Sequence, residues 1–142
     1  MVLSGNLTDS ATLSPGCGVL QTDAEAGTGT FLSLRASSKE MAALEIDVDL
    51  GSSPSPGELS PESVGTWSAT GATTASSNCA YTAGSEAVPS GTFALNLSAV
   101  EPAGGPGGAG VAHGTIDLTL YVHAPATTDC GLGDTENVTI DF

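Results

Sequence analysis

Basic side chains are almost missing from this chain. Among 142 residues there are one arginine, Arg35, and one lysine, Lys39, against sixteen acids, for a formal charge of −14. A nucleic-acid surface needs a basic footprint to displace counterions, so nucleic acid is excluded as a partner. An anionic bilayer surface would repel the chain for the same reason. Aromatic residues are scarce too, at 4%, which argues against a cleft built on exposed ring platforms for sugars. No stretch approaches the roughly 20 consecutive apolar residues of a spanning helix, so membrane insertion is not expected. Charged residues of both signs total 13%, about half the usual figure of roughly 25%. Disordered chains combine high charge with a lack of apolar periodicity, and this chain has neither property.

Cysteine is sparse and scattered. Cys17, Cys79 and Cys130 lie far apart with no C-x-x-C pair, which argues against a zinc site built from all three thiolates. One disulfide plus one leftover thiol is the economical reading. Cys79 and Cys130, flanked by Ser, Thr, Asp and Gly at strand ends, suit a bridge closing a long loop, while pairs involving Cys17 stay open. A bridge implies an oxidising compartment. The N-terminal Met-Val-Leu-Ser-Gly has neither the basic start nor the apolar stretch of a signal peptide. Composition favours a mature form found outside the cell, in the periplasm or at the cell surface.

What the chain has in quantity is two-residue alternation. Phe93, Leu95, Leu97 and Ala99 alternate with Thr92, Asn96 and Ser98. After a glycine-rich joint from Pro102 to Gly110, Ile116, Leu118, Leu120 and Val122 alternate with Thr115, Asp117, Thr119, Tyr121 and His123. Successive strand side chains point to opposite faces, so each run has one buried and one wetted face, and the pair reads as a long antiparallel hairpin. Further strands are expected over Thr30–Ala36, Leu44–Leu50, Gly65–Thr70, Asn78–Thr82 and Asn137–Phe142, with one or two short ones in the first twenty-odd residues. Ser37-Ser-Lys-Glu40 has the form of a capping box and allows at most one short helical turn. Gly51–Ser63, with three prolines and five serines, reads as a loop or an irregular crossover. Residues 1–142 therefore form a single all-β domain, an antiparallel two-sheet β-sandwich, with a small β-barrel as the alternative.

Motifs for chemistry are few. Gly105 to Gly110 matches G-x-G-x-x-G, but a strand follows instead of a helix, so no nucleotide site results. There is no G-x-S-x-G elbow and no H-E-x-x-H helix. His113 and Asp117 are about 13 Å apart along a strand at roughly 3.3 Å per residue, too far for a base and its orienter. Trp67 shares parity with Ala69 and is expected in the core. Tyr81 follows Cys79 by two, which does not fit the immunoglobulin pattern. Calcium is the most specific cofactor reading, and otherwise no cofactor is implied. Asp47 and Asp49 share a strand face, with Glu58 at the twelfth position counted from Asp47. However, Ser52 stands where that calcium loop needs glycine, and Pro54 and Pro56 interrupt it. A looser oxygen cluster could form there, or from Asp129, Asp134 and Glu136 before the last strand.

Four segments together resemble a known group: Gly65-Thr-Trp67, Cys79-Ala-Tyr81, Gly91-Thr-Phe-Ala-Leu-Asn-Leu97 and Val111-Ala-His-Gly-Thr-Ile-Asp-Leu-Thr-Leu120. The stretch resembles small β-rich domains of secreted proteins and lipoproteins of Gram-negative bacteria. The resemblance implies an envelope or extracellular location and brings no catalytic residues. The function expected from the sequence is non-enzymatic, a secreted or cell-surface domain with a structural, binding or adhesion role toward a protein or surface partner. Three alternatives come from other classes. One is a small-molecule carrier with a barrel cavity. Another is a self-assembling subunit that donates Val138–Phe142 or the N-terminal segment as a strand. The third is a hydrolase assembled from scattered acids and a histidine.

Overall fold

The computed structural model describes residues 2–5, 18–22, 29–38, 41–73, 79–88, 90–101, 109–125 and 134–142. Among them there are ten strands and no helix: β1 (Val2–Gly5), β2 (Gly18–Thr22), β3 (Thr30–Ala36), β4 (Met41–Asp49), β5 (Gly57–Leu59), β6 (Trp67–Thr73), β7 (Cys79–Gly84), β8 (Thr92–Glu101), β9 (Ala109–Pro125) and β10 (Thr135–Asp141). Every pairing is antiparallel, so the all-β antiparallel class expected from the alternation holds.

The hairpin read from the sequence is the spine of the molecule. β9 is seventeen residues long and is hydrogen-bonded to four strands. β8 lies along Val111–Thr119, and β7 takes over from Tyr121 to Pro125. β2 pairs with Ala109–Ala112, and β10 with Thr115–Tyr121. From β9 the pairing runs through β2, β3, β4, β6 and β7 and comes back to β9. The ladder β5-β8-β9-β10-β1 crosses that path at the same strand.

Register makes the core. Phe93 is opposite Leu118, which is opposite Val138; Leu95, Ile116 and Ile140 form the next row. On the other ladder Leu34, Ile46, Ala69 and Ala83 line up across four strands. All of these are buried. Trp67 from β6 meets Phe93 from β8 edge-on, with centroids 4.7 Å apart and planes at 67°. That geometry contributes about 0.5–1.5 kcal/mol beyond area burial and ties the two ladders together. Trp67 is thus the core anchor its parity implied.

Four local departures from the sequence reading have physical causes. Ala99 was expected inward, but the register shifts between Leu97 and Ala99, which leaves Ala99 exposed and Val100 half-buried. A bulge adds one residue and so reverses the parity beyond it. A similar shift between Met41 and Ala43 lets Met41 and Leu44 both point inward despite an odd spacing. The described part of the expected helical turn is a tight β3–β4 connection, in which Ser38 Oγ accepts the Met41 amide at 3.0 Å; Lys39 and Glu40 lie outside the described residues. Finally, the Gly51–Ser63 crossover contains β5, three residues that pair with Leu95–Leu97 on β8.

The C-terminal strand is not a detached donor. β10 is hydrogen-bonded to β1 on one side and β9 on the other, with Val138, Ile140 and Phe142 buried. Phe142 exchanges backbone hydrogen bonds with Gly114, at 2.8 and 2.9 Å. A Cβ on Gly114 would collide with the carbonyl oxygen of Asn96, because β8 comes in close beside its bulge. Gly114→Ala should therefore destabilise the fold by about 1–3 kcal/mol, as overpacking does. Urea denaturation should show a lower midpoint with an unchanged slope.

Candidate functional site

Outward-facing residues of the β3-β4-β6-β7 ladder form the wall of a groove. Pairing places Ser33 beside Asp47, Asp47 beside Ser68 and Ser68 beside Gly84, with Phe31 and Asp49 in the next row. After β7 the chain turns back at Ser85: its amide donates to the Trp67 carbonyl at 2.9 Å, and its Oγ accepts the Trp67 amide at 3.0 Å. Glu86, Ala87 and Val88 follow in this turn and line the groove, as does His123 of β9. The groove is open to solvent and has a volume of about 700 Å³, within the usual range of ligand pockets.

The acids of the groove are fixed by their own neighbours. Ser33 Oγ donates to Asp47 Oδ1 at 2.7 Å. The Gly51 amide donates to Asp49 Oδ1 at 2.9 Å, and the Asp49 carboxylate lies against Gly65. Among the described residues no arginine or lysine lines the space. Arg35 sits farther along the same face, where it bonds Glu45 through Nε at 2.8 Å and Nη2 at 2.5 Å. Both of those side chains are largely exposed, so the pair adds little stability. Its effect here is to occupy the only described basic side chain. Val88 is 97% exposed, the one large apolar side chain so exposed among the described residues.

The residues singled out from the sequence separate in space. Asp47, Asp49 and His123 share the groove, and the two aspartates face outward together as expected. His113 and Asp117 are both exposed on β9, with parity as read; His113 is not a groove residue. Neither histidine forms an ion pair with a carboxylate among the described residues. Asp117 accepts Thr139 Oγ1 at 2.5 Å, and Asp141 accepts Thr115 Oγ1 at 2.8 Å. They belong to a separate polar face on β8, β9 and β10. Glu58, Asn96, Thr115 and Asp117 line a second groove there, under the β5 turn. Asp129, Cys130 and Cys17 lie outside the described residues. Among the described residues no three of His, Cys, Asp and Glu come together in a way that could hold a metal ion.

Glu136 was read as an oxygen donor before the last strand. It lies inside β10, opposite Leu120, and is fully buried. The signal for this was its parity with Val138 and Ile140. Across the core, Tyr81 is buried opposite Val122, whose amide bonds the Asp134 carbonyl at 3.0 Å. Burial first, then the negative charges of Glu136 and Asp134, push the Tyr81 phenol above its ordinary range. Two residues earlier, Cys79 is buried and disulfide-bonded, its partner lying outside the described residues.

The chain matches no family model, no curated protein and no solved structure. The site is therefore argued from its own chemistry.

Two measurements follow from the Tyr81 end of the core. With its folded pKa raised, the native state keeps the phenolic proton after the unfolded chain has lost it. The stabilising contribution is thus present below the unfolded value near 10 and is lost as pH rises through the folded value. Alkaline denaturation curves of Tyr81→Phe should lose that part of the slope, whereas Tyr121→Phe should keep it. Separately, thermal melting with a thiol reductant should lower Tm, since loss of a loop-closing disulfide typically costs about 2–5 kcal/mol. An unchanged Tm would rule out a stabilising bridge at Cys79.

Proposed function

We propose that this chain is a non-enzymatic, extracytoplasmic binding domain whose contact surface is the groove between the β3-β4-β6-β7 face and the Ser85–Val88 turn. The observation that carries the reading is the combination in one concavity of fixed acids, a histidine and an otherwise unexplained exposed valine. Its aspartates are engaged by Ser33 and Gly51, partners that hold a carboxylate still. A fixed, polar wall facing an apolar rim suits recognition, because little ordering remains to be done when a ligand arrives. The two ladders share β9, and the Trp67–Phe93 contact joins them across the interior.

The proposed compartment rests on the cysteines. We assign the bridge to Cys79 and Cys130 on reach. Cys79 is opposite Pro125, and Cys130 follows five residues later. Cys17 is the chain neighbour of Gly18, which pairs with Ala112, thirteen residues from Pro125 on β9. That is roughly 40 Å of strand, against about 4.4–6.8 Å between bridged Cα atoms. A structural bridge belongs in an oxidising compartment, and the strong acidity agrees with solubility by self-repulsion.

The test uses fluorescently labelled protein on peptide and glycan arrays, beside a Ser68→Arg variant. Ser68 is an exposed lining residue, so the variant should fold while obstructing the groove. Spots that retain the parent protein should lose the variant. Equal retention of both, or retention of neither, would remove the groove as the contact surface.

A further inference from the structure

Building on that reading of the groove, we infer that its ligand is an extended cationic peptide segment in which a lysine or arginine adjoins an apolar side chain. The inference starts from a charge that no described side chain neutralises. Asp47 and Asp49 are two residues apart on one face of β4, which spaces them by about 6.6 Å at the usual rise. Glu86, in the turn after β7, also lines the groove. The whole chain offers two basic side chains, and Arg35 is bound to Glu45 beyond the groove. A cationic peptide lying in the groove passes three acids spread along it and no competing positive charge among the described lining residues.

The apolar half of the specification comes from Val88 and Phe31. Val88 stands in solvent at the rim, and Phe31 is half-buried in the lining. A bare divalent ion would leave both unused, and it needs about six to eight oxygens, while the described acids do not gather in threes. A neutral glycan would leave the acids unused and would find no ring to stack on, because Trp67 is 5% exposed. A peptide alternating basic and apolar side chains uses both features. Its backbone can run along an antiparallel face whose own residues alternate every two positions. The net charge of −14 adds long-range attraction that speeds encounter and weakens in salt.

Binding is read by isothermal titration calorimetry, because the buried Trp67 ring faces the core rather than the ligand. The probe is a blocked hexapeptide of alternating lysine and leucine, with glutamate–leucine and lysine–glycine peptides as controls. We expect saturable binding of the lysine–leucine peptide that weakens about tenfold between low and high salt, weaker binding of lysine–glycine, and none of glutamate–leucine. The triple variant Asp47→Asn, Asp49→Asn, Glu86→Gln keeps the acceptor oxygens used by Ser33 and Gly51. It should melt like the parent and lose at least about tenfold in affinity, the loss of charge complementarity being the cause. Val88→Ser should weaken the lysine–leucine peptide several-fold and leave lysine–glycine unchanged. Glu58→Gln with Asp117→Asn, in the second groove, should change nothing. If the second-groove variant loses as much as the triple variant, attraction is merely to net charge and the inference falls. Absence of saturable binding overturns it as well. Should the arrays select a neutral glycan that Ser68→Arg no longer retains, the groove stands as the contact surface and the cationic ligand does not.

Discussion

The arrangement depends on hydrogen bonding along both edges of β9. A strand with partners on each side loses its exposed edges, and its alternation then decides what both neighbouring ladders must present. Ile116, Leu118 and Leu120 face inward, so β8 and β10 have to supply matching apolar rows. They do so with Leu95, Phe93, Ile140 and Val138. The ends of β9 extend past these partners and capture β2 and β7. A single alternating segment thereby fixes the register of strands drawn from nearly the whole chain.

The outer faces follow from the same alternation but are solved differently. Over β8, β9 and β10 the wet side is a lattice of threonines, asparagines and aspartates, and several of these bond one another: Thr119 to Asn137 at 2.9 Å, Thr139 to Asp117 and Thr115 to Asp141. Hydroxyl-to-carboxylate bonds take the place of ion pairs in a chain with almost no cations. Over β3, β4, β6 and β7 the device recurs at Ser33 and Asp47, and there the turn after β7 makes a concavity. On each side a short segment beside the sheet completes a groove, the turn after β7 on this one and the β5 segment on the other.

Strand identity and facing were legible because alternation is a property of sequence: the outward aspartates of β4, the exposed histidines and the inward Trp67 all follow from parity. The bulges at Leu97/Ala99 and Met41/Ala43 were not, since an inserted residue shows only in the partner's register. β5 was hidden for a related reason. Three residues among prolines and serines become a strand only because β8 offers an edge. Glu136 was readable in principle, yet its charge argued for solvent while its parity argued for the core, and parity prevailed. The groove was the least legible part. Asp47 and Glu86 are thirty-nine positions apart, and nothing local to either reveals that Ser85 pins the turn to the Trp67 backbone.

The pairing of β1 with β10 has a consequence for how the molecule comes into being. The first strand has no described partner other than the tenth, whereas β2 pairs with its neighbour β3 as well as with β9. Until β10 is available, β1 has no described ladder to join. Closure of the long sequence separations involved is slow compared with local structure. The outer ladder is thus completed only when strands from opposite ends of the described chain meet.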